Sequence, residues 1–521
     1  MKKTLLIVPF MKDKYFKKEL GNKEFLGIQY LAAMLDSKGF DCDIVNAHYM
    51  QWDENAISRN VDVNSYKFIG ISCVSQRCYP FTKKLVKFLR ERGCTAHICL
   101  GGFYPSLAYE KILYDIEGID SLILGEGEES IVSLVEKVFN GESMDQLSGI
   151  AYLNQGLLSL NPPNRIMNLD KLPFPVRNIE YLGNISSIGT DKVGKRFFRM
   201  LAGRGCYGKC SFCSIIRFYA PKYKIYRSPQ NVVGEIEQLV NKYGINDFLF
   251  NDEIFYEISK KGQMWIQQFV ELIKQKEIKI SFAIEMRAND IRHEEISLLK
   301  SVGLKRVSLG VESGIQRVLD EMNKGCTIQQ NRDAIDILKQ SGITPLISFI
   351  AIIPTMSFKE LKDNYKFLFS LNCFIEENVY NKLNIYSNCE YKNILEKWNL
   401  LIEGSSFYER HGYNFYDPKV ELFSSIIEDV RVVFSVHKKK LVAIDSKADN
   451  SEILNEFQGE WIKFNEQLWM NIINVLIEAI DNIDINNIEE IELMKKIYFK
   501  FINAQSDFLH NYIDSFNKLK M

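Results

Sequence analysis

Three cysteines, Cys206, Cys210 and Cys213, stand in the run Arg204-Gly-Cys-Tyr-Gly-Lys-Cys-Ser-Phe-Cys-Ser-Ile. The C-x-x-x-C-x-x-C spacing lets three thiolates wrap one face of a cubane iron–sulfur cluster, which needs four ligands to be closed. One iron is left open, and an open iron beside a loop can bind a small molecule and hand it an electron. Zinc is the competing reading. Structural zinc takes four Cys or His ligands, typically as two close pairs. Here no second pair is present, Cys326, Cys373 and Cys389 are isolated, and no histidine falls close after the triplet. The spacing favours a [4Fe–4S] cluster over zinc or inert thiols, with a fourth ligand from a distant part of the chain left open.

Elements must place these cysteines. Residues 1–140 alternate short apolar runs with amphipathic stretches, as in an open, doubly wound parallel α/β sheet. Strands are predicted at 4–8, 41–46, 68–73, 96–100 and 121–124, with helices at 27–38, 80–92, 107–112 and 128–139. In such a sheet ligands bind beyond the carboxyl ends of the strands. Gly101-Gly102 and Gly125-Glu126-Gly127 lie there. Residues 141–190 have weak periodicity and prolines at 162, 163, 173 and 175, which reads as a linker. A second α/β series fills 191–386, with strands predicted at 197–202, 247–251, 280–284, 306–309, 346–353 and 382–386. Six units suggest a partial (β/α)6 TIM-type barrel with its site at the strand C-termini, where Cys206 stands. Residues 387–521 turn to long helical patterns and read as a packed helical C-terminal domain. Residues 430–444 fit a hairpin or a helix equally.

Composition narrows the partners. Lysine plus arginine (65) and aspartate plus glutamate (66) nearly cancel in 521 residues, so no bulk field draws nucleic acid or an anionic membrane. The N-terminal apolar run is too short for a signal peptide and is followed by charge. The next longest, 346–354, is far below the roughly 20 residues that span a bilayer. Eleven cysteines in an irregular, odd set fit a reducing compartment, so a soluble, cytoplasmic protein is expected.

Taken together, the cysteine triplet and the ordered runs Phe25-Leu-Gly-Ile-Gln-Tyr-Leu-Ala-Ala, Ile69-Gly-Ile-Ser-Cys, Gly101-Gly-Phe-Tyr-Pro-Ser and Gly125-Glu-Gly-Glu-Glu-Ser resemble the cobalamin (B12)-binding-domain radical S-adenosylmethionine (SAM) enzymes. The likeness covers roughly residues 1–385. It implies three cofactors: a [4Fe–4S] cluster on Cys206, Cys210 and Cys213, SAM, and cobalamin. For cobalamin it implies contacts at Ser72, Ser75, Gly101, Gly102, Gly125, Glu126 and Gly127. The Asp-x-His-x-x-Gly pattern of cobalamin proteins that supply a histidine to cobalt is absent, so no histidine ligand is expected below the metal. For SAM the resemblance implies the Phe212 backbone toward adenine, Asp252 and Glu253 near the methionine amino group, and Glu312 on the ribose. Arg287 could meet the SAM carboxylate or only a neighbouring acid. The fifth strand departs from the family pattern, with Pro354 and Thr355 in place of a Gly-rich turn.

The activity so implied is reductive cleavage of SAM to a 5′-deoxyadenosyl radical, hydrogen removal from an unactivated carbon, and delivery of a methyl group from methylcobalamin. A flavodoxin or ferredoxin would supply electrons, and a small molecule or peptide would be the substrate. Rearrangement or cyclisation without methyl transfer is the alternative within the family. A nonenzymatic electron carrier or metal-stabilised interaction module is the alternative outside it.

Overall fold

The computed structural model describes residues 3–11, 24–177, 189–190, 196–219, 223–386, 389–404, 411–445 and 451–519. The first sheet orders its strands β2-β1-β3-β4-β5-β6-β7. These are β1 (Lys3–Val8), β2 (Asp41–Asn46), β3 (Phe68–Ser72), β4 (His97–Gly101), β5 (Ser121–Ile123), β6 (Ile150–Asn154) and β7 (Leu157–Leu160). The strands from β1 to β5 are parallel. Helices α1 (Leu26–Asp36), α2 (Tyr79–Glu91), α3 (Phe103–Asp115) and α4 (Glu128–Asn140) cover both faces. Leu6 and Val8 pack with α1 and α4, while Leu5 and Ile7 pack with α2 and α3. Two-sided burial is why β1 reads as an unbroken apolar run.

The segment read as a linker contributes the hairpin of β6 and β7, which extends this sheet in antiparallel fashion. Its two-residue turn, Gln155-Gly156, has φ of 49° and 81°. Two positive φ values match a type I′ turn, whose usual signature is Asn-Gly, so Gln-Gly gave a weak signal.

The second sheet orders β13-β12-β11-β10-β9-β8. Its strands are β8 (Gly189–Thr190), β9 (Arg196–Met200), β10 (Asp247–Phe250), β11 (Ser281–Arg287), β12 (Leu304–Glu312) and β13 (Thr344–Phe349). β9 to β13 are parallel and alternate with α5 (Pro229–Tyr243), α6 (Lys260–Gln275), α7 (His293–Ser301), α8 (Ile328–Gln340) and α9 (Phe358–Ser370). Phe198, Met200, Phe248, Phe250, Phe282, Ile284, Val307 and Leu309 are buried on the helix side. Their alternates Arg199, Asn251, Glu285, Ser308 and Ser348 are half-buried or exposed and form the opposite face.

The sixth strand expected at 382–386 is reduced to single bridges, Ile352 with Lys382 and Ile385 with His411. Side-chain amides take the ladder positions instead. Asn378 accepts from the Phe349 amide and donates to the Ile347 carbonyl, and Asn381 donates to the Phe349 carbonyl. Such amides satisfy the edge of β13 without a continuous partner strand.

Three long helices, α10 (Pro418–Asp445), α11 (Ser451–Asp481) and α12 (Ile488–Leu519), follow. α10 resolves the open reading of 430–444 as helix. Trp469, Ile472, Ile473, Tyr498 and Ile502 carry the barrel core into this layer. Among the described residues no helix is long and apolar enough to cross a membrane.

Candidate active site

β9 ends at Met200, and the chain runs through Arg204 into the cysteine loop. Cys210 is buried, whereas Cys206 and Cys213 are half-buried. The loop is fastened from outside: the Ser211 amide donates to the Met322 carbonyl at 2.8 Å, and the Tyr391 amide donates to the Ser211 carbonyl at 2.8 Å. Arg287, at the end of β11, points its Nη1 at Cys210 Sγ, 3.2 Å away. The Gly208 amide donates to Cys206 Sγ at 3.3 Å. A Cβ on Gly208 would lie 2.4 Å from Arg287 Nη1, so the guanidinium enters the loop only because glycine is there. Burial raises the Cys206 thiol, opposed by the Gly208 amide and Arg287.

A second cation lies close by. Lys324 Nζ is 2.9 Å from Glu312 Oε1, and both residues are buried. Burial works against the Lys324 charge, yet Glu312 and the Cys210 side chain raise its pKa above the ordinary value. Gly310 makes room, since a Cβ there would meet Glu312 Oε1 and Lys324 Nζ at 2.7 Å. Glu312 adopts a φ of 65°. A non-glycine residue held there stores roughly 1–3 kcal/mol of strain, a cost concentrated at functional sites.

The donor set fits an iron–sulfur cubane. Among the described residues no three His, Cys, Asp or Glu side chains converge as around a single metal ion. Ligands of a cubane each bind a different iron and need no common centre. Two buried cations beside the thiols offset the negative charge that thiolates and cluster would bring. The structure also draws in Cys326, which is buried and lies in the electrostatic range of Cys210, Arg287 and Lys324. Its distance in sequence had set it apart.

The acidic turn divides its labour. Asp252 is fully buried, accepting from Lys224 Nζ at 2.7 Å and from the Ala202 amide at 2.9 Å, so both oxygens serve the protein. Burial, partly offset by Lys224, raises its pKa. Glu253 borders a cavity and accepts from the Gly205 amide at 2.9 Å. Phe212 is half-buried against the barrel core.

That cavity, of about 490 Å³, opens between the two sheets. Ser72, Gly101, Gly102, Gly125, Glu126 and Gly127 line one wall, and Arg199, Leu201, Arg204, Asn251 and Glu253 the other. Ser75 is not in the lining; its hydroxyl caps the turn at Gln76–Cys78. Gly102 has a φ of 105°, and a Cβ there would crowd the Cys73 carbonyl at 3.1 Å. Only glycine turns β4 into α3 at that point. Glu126 is committed within the protein: Oε1 accepts from Arg204 Nη1 at 2.8 Å and Oε2 from the Ile166 amide at 3.0 Å. Arg204 Nη2 also donates to Glu128 Oε1 at 2.5 Å.

Arg199 is the clearest mark of a ligand. Its Nη1 donates to Asn251 Oδ1 at 3.1 Å, while its Nε is buried with no hydrogen-bond partner among the described residues. An orphaned donor across from a wall of bare glycine backbone suits a ligand rimmed with amides, as a corrinoid is. Arg199, Arg204, Glu285 and Lys324 were missed by sequence reasoning as site residues. A signal existed for one of them, because Arg204 sits two residues before Cys206 and complements the acidic Gly-Glu-Gly-Glu-Glu run.

Comparison with known proteins agrees with this layout. The profile of the radical SAM superfamily matches residues 200–368, and that of the B12 binding domain matches residues 23–135. An anaerobic magnesium-protoporphyrin IX monomethyl ester cyclase of Rubrivivax gelatinosus is 30% identical over 354 residues, 66% of this chain and 62% of that protein's length. An uncharacterized methyltransferase of Pyrococcus horikoshii is 26% identical, over 70% of this chain and 77% of its own. The fold superposes with a TM-score of 0.79 on the cobalamin-dependent S-adenosylmethionine radical enzyme OxsB with aqua-cobalamin and S-adenosylmethionine bound. That match covers 100% of this chain and 81% of OxsB at 17% identity. The chain belongs to the cobalamin-binding-domain radical SAM enzyme family, whose cofactors are a [4Fe–4S] cluster, SAM and cobalamin.

Proposed function

We propose that this protein methylates an unactivated carbon of a small-molecule or peptide substrate in a cobalamin-dependent radical SAM reaction. One observation carries the reading: Arg204, two residues ahead of Cys206, is bonded to Glu126 and Glu128, so the cluster loop and the corrinoid cavity share a wall. When bound, the cofactors supply reductive cleavage of SAM to a 5′-deoxyadenosyl radical and a transferable methyl group, chemistry that acid–base side chains lack at such a C–H bond.

The chain's own residues hold and aim these groups. Cys206, Cys210 and Cys213 anchor the cluster, and Arg287 and Lys324 hold positive charge against it. Lys324 takes one oxygen of Glu312, which leaves the other for a ribose hydroxyl or an ammonium. Glu253 is the acid of the 251–253 turn that reaches the cavity, with Asp252 bracing the loop behind it. Arg199 Nε offers a donor to acceptors on a corrin rim. An external reductant of the flavodoxin or ferredoxin class completes the cycle, and the C-terminal helices are the substrate-selecting piece.

The test is product analysis of the anaerobically reduced holoprotein with methyl-labelled SAM and candidate substrates. Label in the product supports methyl transfer. The second reading, cyclisation or rearrangement, is favoured by the 30% identity to a cyclase and predicts 5′-deoxyadenosine with unlabelled product. A nonenzymatic carrier predicts no SAM cleavage.

A further inference from the structure

Behind the corrinoid wall lies a pair of thiols that the proposed reaction does not use. Cys73 follows β3 and Cys78 precedes α2; both are fully buried, and their Sγ atoms stand 3.2 Å apart. A disulfide requires about 2.0 Å, so the sulfurs have roughly 1 Å to close. Cys73 is fixed by its amide to the Gly101 carbonyl at 2.8 Å and by its carbonyl to the Tyr104 amide at 3.2 Å. We propose that Cys73 and Cys78 are a redox-modification site that closes to a reversible disulfide behind the cavity wall.

Their surroundings assign the roles. Burial would raise the Cys78 thiol, which donates to the Ser75 carbonyl at 2.8 Å, but its hydrogen bonding with Cys73 and the Ser75 segment brings it below its ordinary value. Its place at the head of a 13-residue helix favours the thiolate as well. Burial pushes Cys73 well above its ordinary value. Cys78 is therefore the attacking thiolate and Cys73 the resolving thiol. Val74 and Arg77 on the covering turn are exposed, and once that turn lifts Cys78 attacks a low-molecular-weight disulfide such as glutathione disulfide, breaking its S–S bond and releasing one thiol. Cys73 then gives up its proton and displaces the second thiol from Cys78. The two protein thiols lose two electrons and two protons, and the small disulfide gains them as two thiols.

Ser72 and Val74, on either side of Cys73, line the cavity. The crosslink thus fixes the 74–77 turn at the corrinoid wall. The pair's chemistry goes beyond the proposed function and stands on its geometry whether or not methyl transfer is the reaction.

Trypsin provides a direct readout because Arg77 separates the two cysteines. Holoprotein is equilibrated anaerobically in glutathione buffers of rising disulfide fraction, acid-quenched, alkylated, digested and mapped by mass. The expected result is one linked peptide pair, 68–77 with 78–83, two hydrogens lighter than the sum. It should appear in a single two-electron transition and vanish on reduction, while Cys94 and Cys99 of the same domain remain alkylated. Cys73→Ser and Cys78→Ser should each abolish the linked pair. The wild-type map decides alone if either variant fails to fold. The proposal is overturned if both cysteines stay alkylatable in every buffer, if Cys78 stops at a single glutathione adduct, or if another cysteine replaces either partner.

Discussion

The two walls of the site are built from opposite materials. Around the cluster loop the protein places full charges in buried positions, Arg287 on Cys210 and Lys324 on Glu312. Across the cavity, Gly101, Gly102, Gly125 and Gly127 present bare backbone, with the orphaned Arg199 donor on the opposite wall. Buried charge is costly unless it is matched, so cations gather where thiolates and a cluster bring anionic charge. A neutral, amide-rimmed ring asks instead for close backbone approach and a few donors. The seam joins the two walls, because Arg204 on one bonds to Glu126 and Glu128 on the other.

Removing a ligand from the charged wall should break the comparison most completely. Cys210→Ala is expected to abolish SAM cleavage and cluster electron paramagnetic resonance while hydroxocobalamin uptake persists; cleavage that survives sinks the cluster assignment. Cys326→Ala is the matched control. It should leave iron content and SAM cleavage unchanged, and a cluster that falls apart would mean that Cys326 closes the fourth corner. The seam comes next. Arg204→Ala takes the guanidinium from Glu126, which keeps the Ile166 amide and Arg165, and from Glu128, and breaking a buried pair this way costs about 3–5 kcal/mol. The denaturant midpoint should fall accordingly, and an unchanged midpoint would show that the domains do not lean on this pair.

Much of this layout was legible in the chain. The cysteine spacing, the glycines after β4 and β5, and the alternation of short apolar runs with amphipathic stretches pointed to two α/β units and to the strand ends beside which these residues lie. What escaped was whatever depends on contacts between distant residues. Lys324 and Cys326 reach the cluster loop because the stretch after β12 folds back on Ser211. Asp252 reads as a ligand residue, yet Lys224 claims it from 28 positions away. The sixth strand dissolved for a local reason of the same kind, since no periodicity reports that Asn378 and Asn381 side chains will occupy a strand edge.

On the glycine wall the expected effects are smaller. Gly102→Ala places a Cβ at a φ of 105° and against the Cys73 carbonyl. Strain of this kind costs about 1–3 kcal/mol, and relief requires the wall to move. Hydroxocobalamin affinity, followed by absorbance titration, should weaken with SAM binding little changed. An equal loss of both would place the effect on folding as a whole.

The smallest effect sharpens the comparison at the sheet face between the walls. Although Glu285 keeps contact with solvent, loss of water on its sheet side, joined by the charges of Asp252 and Glu253 and opposed by Arg199, pushes its carboxyl up to about 7 from an ordinary 4.5. Between those values the folded protein holds a proton that the unfolded chain has released. Stability from this group is therefore full below 4.5 and is lost as pH rises through about 7. Glu285→Gln removes the titration and should flatten that part of the profile. Urea midpoints at about pH 5 and about pH 8 test it: wild type should lose more between them than the variant does. Equal losses would mean that Glu285 ionises normally. The field of the acidic 252–253 turn at the sheet face would then be cancelled by Arg199.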